Sequence, residues 1–279
     1  MIGRALALFI SLSVMAILSI AQAQPAPDQA DELLKSVEEG NREAISTIRQ
    51  YAAQGDAKAQ FDLGYIYDTG LGVPQSYVEA AKWYRKAAEK GLAEAQVNLG
   101  ALYDEGDGVG KEDDVTALMW YRKAAAQGNA KAQFFLGLLY NYGHGVRRNY
   151  SKALMWYRQA AEQGYALAQF NLGEMFNAGR GLPRNYAMAL EWYRKAAEQW
   201  DAGALLSLGG MYEHGHGVPQ SYERAYMWCQ LSKEASMPGN RTYELATRKI
   251  EMLSRKMHSD EIERAQKDAA EWSSKNHPF

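Results

Sequence analysis

The chain repeats itself five times with a period of 36 or 37 residues, and this period constrains the fold more than any other feature. A Leu-Gly pair, a Gly-x-Gly triplet and a tryptophan recur in the same order in each copy. The Leu-Gly glycines are Gly64, Gly100, Gly137, Gly173 and Gly209, and the tryptophans are Trp83, Trp120, Trp156, Trp192 and Trp228. A fixed period in this range indicates a repeat protein, in which each unit buries its apolar face against its neighbour.

Each copy is predicted to contain two helices. In the first copy, residues 56–68 carry apolar side chains at helical spacing, and Gly70 and Gly72 then end the helix. A glycine inside a helix costs roughly 1 kcal/mol relative to alanine. Because Gly64 recurs in every copy, we expect it to mark a close approach between two helices.

The second helix of the first copy is predicted from near Pro74–Tyr77 to Lys90, with proline in its first turn. Helices this short are marginal alone in water, so stacking between copies must stabilise them. Full burial of each Trp-Tyr pair would contribute on the order of 3–6 kcal/mol. These pairs are therefore expected to supply most of the packing energy.

The pattern Ala-x-x-x-Leu-Gly-x-x-Tyr, Gly-x-Gly-Val, Ala-x-x-Trp-Tyr-x-x-Ala-Ala resembles the Sel1-like repeat, a relative of the tetratricopeptide repeat. The resemblance covers roughly residues 55–235. It implies an all-α fold, an α-solenoid in which antiparallel helix pairs form a right-handed superhelix. It also implies adaptor roles in signalling, envelope and host-interaction complexes.

The first 23 residues are predicted to be a secretory signal peptide. Arg4 supplies a positive start, residues 5–20 are apolar apart from serines, and Ala21-Gln22-Ala23 has the form of a cleavage site. The alternative is an uncleaved anchor, but the apolar run is shorter than the roughly 20 residues that a spanning helix needs. We therefore expect a periplasmic or secreted protein with no stable membrane insertion after cleavage.

The segments on either side of the repeats are predicted to be helical caps, which a stack of repeats needs to cover its terminal faces. Residues 24–54 form the N-terminal cap, with helices split at Gly40. Residues 236–279 form the C-terminal cap and tail, with helices over 241–257 and from an N-capping Ser259 to about Trp272.

Composition and motifs favour neither nucleic-acid binding nor catalysis. Lys and Arg number 31 against 33 Asp and Glu, so the net charge is −2 and there is no basic footprint. Arg85, Arg158 and Arg194 each precede a glutamate by four residues, which predicts a salt-bridged solvent face. No motif for a phosphate loop or a catalytic nucleophile occurs, and no cofactor is expected.

The fifth copy carries the best candidates for metal or thiol chemistry. His214 and His216, with Cys229, could begin a zinc site. The variety of residues between the two loop glycines of other copies favours a solvent-exposed loop tip for His216. Cys229 replaces the usual tyrosine and is expected to act as a small apolar side chain, with a reactive thiol as the alternative.

Two rows of first-helix residues are predicted to line a concave partner-binding groove. One row is apolar and the other offers carboxylate or amide oxygens, which suits a segment with basic or backbone donors. The alternative is that the apolar row packs between copies and the polar row only aids solubility. The candidate residues are Phe61, Tyr65, Val97, Phe134, Phe170 and Leu206, with Asp68, Asp104, Asn141, Asn177 and Glu213.

Trp200 stands where Gly91, Gly128 and Gly164 turn the chain between copies. A tryptophan in a left-handed turn is strained, so a different turn is expected at this junction. Trp200 is then either an exposed contact residue or packed on the C-terminal cap.

The sequence thus predicts a non-catalytic exported scaffold that binds a protein or peptide partner, and an envelope or signalling regulator is the expected role. One alternative is a secreted effector that acts in host cells. The other is an enzyme acting on β-lactams or peptidoglycan. Relatives proposed for that activity carry paired cysteines in each repeat, whereas this chain has a single cysteine.

Overall fold

The computed structural model describes residues 27–276, with side chains from residue 31 onwards, so the predicted signal peptide lies outside the described residues. Residues 27–276 form helices joined by short turns, and this part of the chain contains no strand. It divides into two compact units, one ending at Gln127 and the other beginning at Gly128. The prediction of an all-α fold built from tandem helix pairs is confirmed.

The N-terminal unit consists of two leading helices and two helix pairs. Its helices are α1 (Pro27–Glu38), α2 (Glu43–Gln54), α3 (Ala57–Thr69), α4 (Tyr77–Glu89), α5 (Ala93–Glu105) and α6 (Asp114–Ala126). The leading helices α1 and α2 cover α3, and Val37, Ile45 and Ile48 are buried in that contact.

The C-terminal unit consists of three helix pairs and two closing helices. Its helices are α7 (Ala130–Tyr142), α8 (Tyr150–Glu162), α9 (Ala166–Ala178), α10 (Tyr186–Ala197), α11 (Ala202–His214), α12 (Tyr222–Glu234), α13 (Arg241–Ser254) and α14 (Ser259–Asn276). Both closing helices, α13 and α14, pack against α12.

Short polar side chains fix where the helices begin. The second helix of every pair has an N-cap whose side chain accepts a bond from the backbone three residues later. These caps are Ser76, Asp113, Asn149, Asn185 and Ser221. The predicted start near Pro74–Tyr77 agrees with α4 at the end of that range, because capping by Ser76 places Tyr77 first in the helix and Pro74 before it.

The Leu-Gly glycines let the two helices of each pair touch, as predicted. A Cβ atom on Gly64 would lie 2.5 Å from the ring of Tyr84, which no real contact permits. Gly100, Gly137 and Gly173 face the rings of Tyr121, Tyr157 and Tyr193 in the same way. In the fifth pair the Sγ atom of Cys229 takes the place of the ring, 2.7 Å from a Cβ on Gly209.

The tyrosines of the Trp-Tyr pairs are fully buried, whereas the tryptophans are buried to different extents. Trp120 and Trp192 are buried, whereas Trp83, Trp156 and Trp228 are only half-buried. A lysine three positions later covers the outer face of some indoles. Lys86 lies 3.9 Å from the ring centre of Trp83, a cation–π contact.

Buried glutamines link successive helix pairs. Gln96 donates from Nε2 to the carbonyl of Ala88, 3.1 Å away, and its Oε1 accepts from Gln127 at 2.9 Å. Gln169 repeats this arrangement with Ala161 and Gln199. The polar side chains are thus satisfied inside the packed layer.

Two arginines of the second helices, Arg85 and Arg194, bond to tyrosines rather than forming the predicted salt bridges. Arg85 donates to the hydroxyl of Tyr103 at 2.7 Å, and Arg194 donates to Tyr212 at 3.4 Å. Each tyrosine lies on the first helix of the next pair, so these bonds also join successive pairs.

Trp200 keeps the turn that glycine makes elsewhere, contrary to expectation. Its φ of +61° is the only positive value among the described residues other than glycine. The turn bonds match those at Gly164, with the Trp200 amide donating to Ala197. The indole Nε1 donates to the carbonyl of Asn276 at 2.7 Å, and the ring lies 5.4 Å from that of Trp272. Of the two alternatives, packing on the C-terminal cap is therefore confirmed.

Helix α14 begins and ends differently from the prediction. Ser259 is its first residue rather than its N-cap, and the Glu261 carboxylate accepts from the His258 amide at 2.7 Å. The helix continues past Trp272 to Asn276, because contacts with α12 hold its last turns, including a bond from Ser273 to Glu234 at 3.1 Å.

A buried carboxylate lies under the N-terminal helices. Asp62 is 0% exposed, and Lys58 pairs with it at 2.6 Å and with Asp31 of α1 at 3.0 Å. Burial raises the pKa of Asp62 to about 6, an effect that Lys58 opposes. Lys58 therefore ties α1 to α3 across a desolvated acid.

Candidate binding cleft

An open cleft of about 470 Å³ lies in the C-terminal unit and is the main candidate site. Helices α9, α11 and α13 and the turn before α10 surround it. Asn177 comes from α9, Arg184 from the turn, Leu206 from α11 and Lys249 from α13. The site therefore draws on two repeats and on a helix that follows the repeats.

Gly210 and the apolar side chains of α11 form the floor of the cleft. Leu206 is half-buried and Met211 is 2% exposed. A Cβ atom on Gly210 would meet no heavy atom within 4 Å, so the space above this glycine is empty. The floor can thus accept an apolar group.

A stacked pair of rings forms one edge. The rings of Tyr186 and His216 lie 4.4 Å apart with an interplanar angle of 6°. Gly217 permits this contact, because a Cβ there would lie 3.0 Å from the Cβ of Tyr186. Arg184 donates to the Tyr186 hydroxyl at 3.2 Å. His216 is half-buried, so the expectation of a solvent-exposed loop tip is wrong.

An ion pair between helices forms the opposite edge. Lys249 of α13 pairs with the buried carboxylate of Glu213 on α11. The Nε2 atom of His214 lies 3.8 Å from the same carboxylate. Because an unpaired buried charge is costly, Lys249 holds both Glu213 and the end of α11 in place.

A second carboxylate lies next to Ser207. Glu174 accepts from the hydroxyl of Tyr193 and from Ser207 at 3.4 Å. Burial, and then the nearby Glu174 charge, raise the pKa of Tyr193. The tyrosine therefore stays protonated and remains a donor to Glu174.

The predicted apolar row serves packing to a large extent. Val97 and Phe134 are buried, and Phe61 and Phe170 are half-buried. The Phe61 ring lies 5.7 Å from that of Tyr84, and Phe134 and Phe170 lie similarly against Tyr157 and Tyr193. Only Leu206 of this row lines the cleft.

The residues of the predicted acceptor row differ in their surroundings. Asn177 lines the cleft. Asp68 accepts from the hydroxyl of Tyr84 at 3.0 Å, and Glu213 is paired with Lys249. Asn141 is buried, whereas Asp104, like Tyr65 beside the Leu-Gly pair, is half-buried. Asp68 thus has a structural task that explains an acid in the last turn of α3.

Several cleft residues escaped prediction. A tyrosine opens four of the five second helices, and this recurrence could have pointed to Tyr186. Arg184 and Ser207 carry no distinguishing pattern. Lys249 lies outside the repeats, so the repeat period could not predict its position.

The groups of the zinc alternative are not brought together. Within the described residues, no cluster of three His, Cys, Asp or Glu side chains could hold a metal ion. Cys229 is 0% exposed, and burial raises the pKa of its thiol to about 12. The small-hydrophobe interpretation of Cys229 therefore fits its surroundings.

No helix of residues 27–276 has the length and apolar character to cross a membrane.

Comparison with known proteins identifies the repeats. The Sel1 repeat family matches residues 57–92, 93–129, 130–165, 166–199 and 202–236. No curated protein matches the chain.

Solved structures show the same fold. The chain is similar to a Sel1 repeat protein from Oxalobacter formigenes, with 33% identity and a TM-score of 0.70 over 82% of this chain and 97% of that one. It is also similar to c5321, a protective antigen present in uropathogenic Escherichia coli strains, which displays an SLR fold. That match has 28% identity and a TM-score of 0.57, over 91% of this chain and 62% of that one.

Sel1 repeats build scaffolds that typically bind other proteins and are generally non-catalytic. Five matched repeats and a well-covered relative above 30% identity leave one conclusion: this chain belongs to the Sel1 repeat family.

Proposed function

We propose that this protein is an exported, non-catalytic scaffold that binds a protein or peptide partner, and that the cleft of the C-terminal unit is part of its contact surface. The observation that carries the proposal is the empty space above Gly210. Gly209, the Leu-Gly glycine of the fifth pair, packs against Cys229, whereas Gly210 beside it leaves room for a group from another molecule.

The cleft has the mixed chemistry of a recognition site. Leu206 and Met211 offer apolar area, while Asn177, Ser207 and Arg184 offer hydrogen bonds. A few polar groups around an apolar floor are typical of sites that fix the orientation of a ligand. Its open form suits a segment of a partner.

Substitution of Gly210 tests the proposal. Gly210→Phe should fill the cleft without disturbing the core, since the Cβ position is free. Gly210→Ala is the matched control, because a methyl group leaves most of the cleft open. Both variants and the wild type would be used for affinity capture from an envelope extract, followed by mass spectrometry.

We expect proteins retained by the wild type and Gly210→Ala to be lost from Gly210→Phe. Capture of the same proteins by all three would rule out the cleft as the contact surface, provided that the melting temperatures agree.

The N-terminal unit is proposed to supply further contacts through its half-buried first-helix residues Phe61, Tyr65 and Asp104. Asp68 belongs to the same row, but its bond to Tyr84 makes it a poor site for mutation. Reversing the charge of Asp104 tests the contribution of these residues. The variant should retain less partner than the wild type at equal helicity.

Export is proposed from the sequence of residues 1–23. Expression in a bacterial host, fractionation and intact-mass measurement test it. A mature protein that begins at Gln24 in the periplasmic or secreted fraction is expected, and an uncleaved cytosolic product would contradict export.

A further inference from the structure

We infer that the cleft recognises an acidic peptide segment, in which carboxylates alternate with apolar side chains. The inference rests on the proposed function, since it names the chemistry of the partner at the same site. It reverses the polarity expected from the sequence, where the acceptor row suggested a basic partner.

The first argument is the sign of the groups that face the cleft. Arg184, His214, His216 and Lys249 all line it. None of the described residues that line the cleft carries a carboxylate. Arg184 and Lys249 carry the positive charge, and a concave site with cationic groups and no lining carboxylate favours an anionic ligand.

The second argument is that the nearby carboxylates already have partners. Glu213 is buried and paired with Lys249, and Glu174 accepts from Tyr193 and Ser207. Lys249 uses one of three ammonium protons for Glu213 and keeps donors for a ligand. Glu213 therefore orients the Lys249 donor, and neither carboxylate is among the groups that line the cleft.

The third argument is that Arg184 is held in position. Its guanidinium lies 5.7 Å from the ring centre of Tyr186 and donates to the hydroxyl of that ring. An arginine placed in this way loses less side-chain freedom when it binds a carboxylate. The apolar floor at Leu206 and Gly210 then accepts the side chain next to that carboxylate.

The test uses three fluorescein-labelled decapeptides and fluorescence anisotropy. In the first, Asp and Glu alternate with Leu; in the second, Asn and Gln replace the acids; in the third, Lys replaces them. We expect the acidic probe to bind at least about 10-fold more tightly than the amide probe. This preference should shrink as salt is raised.

Arg184→Gln should weaken binding of the acidic probe by about 3- to 10-fold and leave the amide probe unchanged. Arg148→Gln is the matched control. Arg148 precedes an N-cap asparagine and lies 5.4 Å from the ring centre of Tyr150, but it lines a different cavity. Equal losses in both variants, or a loss confined to Arg148→Gln, would overturn the inference.

The outcomes separate the inference from the proposed function. If all probes bind equally and Gly210→Phe abolishes their binding, the cleft is a contact surface but its acidic preference is wrong. Tighter binding of the lysine probe, or no binding of the acidic probe, also overturns the acidic class. Failure of the proposed function itself shows separately, as unchanged partner capture by Gly210→Phe.

Discussion

Neighbouring glycines in α11 have opposite surroundings. A Cβ on Gly209 would lie 2.7 Å from the sulfur of Cys229 and 3.2 Å from the carbonyl oxygen of Ala225, whereas a Cβ on Gly210 would meet empty space. Glycine is therefore required for packing at position 209, whereas at position 210 it only lowers the stability of the helix.

This contrast gives the first prediction. Gly210→Ala should raise the free energy of unfolding by about 0.5–1 kcal/mol, because alanine favours the helix and restricts the unfolded chain. Gly209→Ala should lower it, because the methyl group displaces α12. Urea unfolding of the two variants beside the wild type measures both; equal shifts would contradict the packing described.

Asp62 supplies a second prediction, for pH. Its folded-state pKa of about 6 exceeds its ordinary 3.8, so the protonated form stabilises the fold. That stabilisation is present below the unfolded-state pKa and is lost as the pH rises through 6. Between pH 4 and pH 7 the free energy of unfolding of the wild type should fall by on the order of 1–3 kcal/mol relative to that of Asp62→Asn.

Unfolding of both proteins by urea at several pH values measures this difference. Lys58 provides no competing titration, because its raised pKa keeps it charged throughout the range. A stability difference that is the same at pH 4 and pH 7 would show that Asp62 is already ionised at pH 4.

An ion pair joins α13 to α11. Lys249→Met should destabilise the protein by on the order of 3 kcal/mol, since it leaves the Glu213 carboxylate buried without its partner. The double variant Glu213→Gln with Lys249→Met should recover much of that loss. A double-mutant cycle from urea unfolding measures the coupling, and strictly additive losses would contradict it.

The last helix is held by aromatic contacts. Trp200 contacts Trp272 and donates to Asn276, so it holds the end of α14 against the fourth and fifth repeats. Trp200→Gly should speed amide hydrogen exchange in Ser259–Asn276 by at least about 10-fold, while α1 and α2 keep their protection from exchange. Relief of the positive φ by glycine opposes this effect, so unchanged exchange would show that this relief offsets the loss of the contact.

The repeat period predicts most of the molecule's architecture because each repeated position meets the same surroundings. The Leu-Gly glycines, the buried tyrosines and the turns between pairs all follow from it. The cleft does not follow, because it depends on departures from the repeat and on α13. Lys249 has no counterpart in other copies. The prediction of a different turn at Trp200 was wrong because it considered only backbone preference and not the contact of Trp200 with α14.

The polarity of the site shows the same limit. Counting along α11 placed Glu213 at a binding edge, but its partner Lys249 comes from a distant part of the sequence. Because Glu213 is buried and paired with Lys249, it positions a donor instead of acting as the expected acceptor. The basic character of the site becomes visible only from the contacts between the closing helices and the repeats.

Cys229 makes the protein a reporter of its own opening. Its sulfur is sealed between α11 and α12, and it is the chain's single cysteine. An alkylating reagent can reach it only when those helices separate, so the labelling rate equals the population of that opened state multiplied by the intrinsic thiol rate. In an oxidising compartment the same seal protects the folded chain from disulfide-linked dimers.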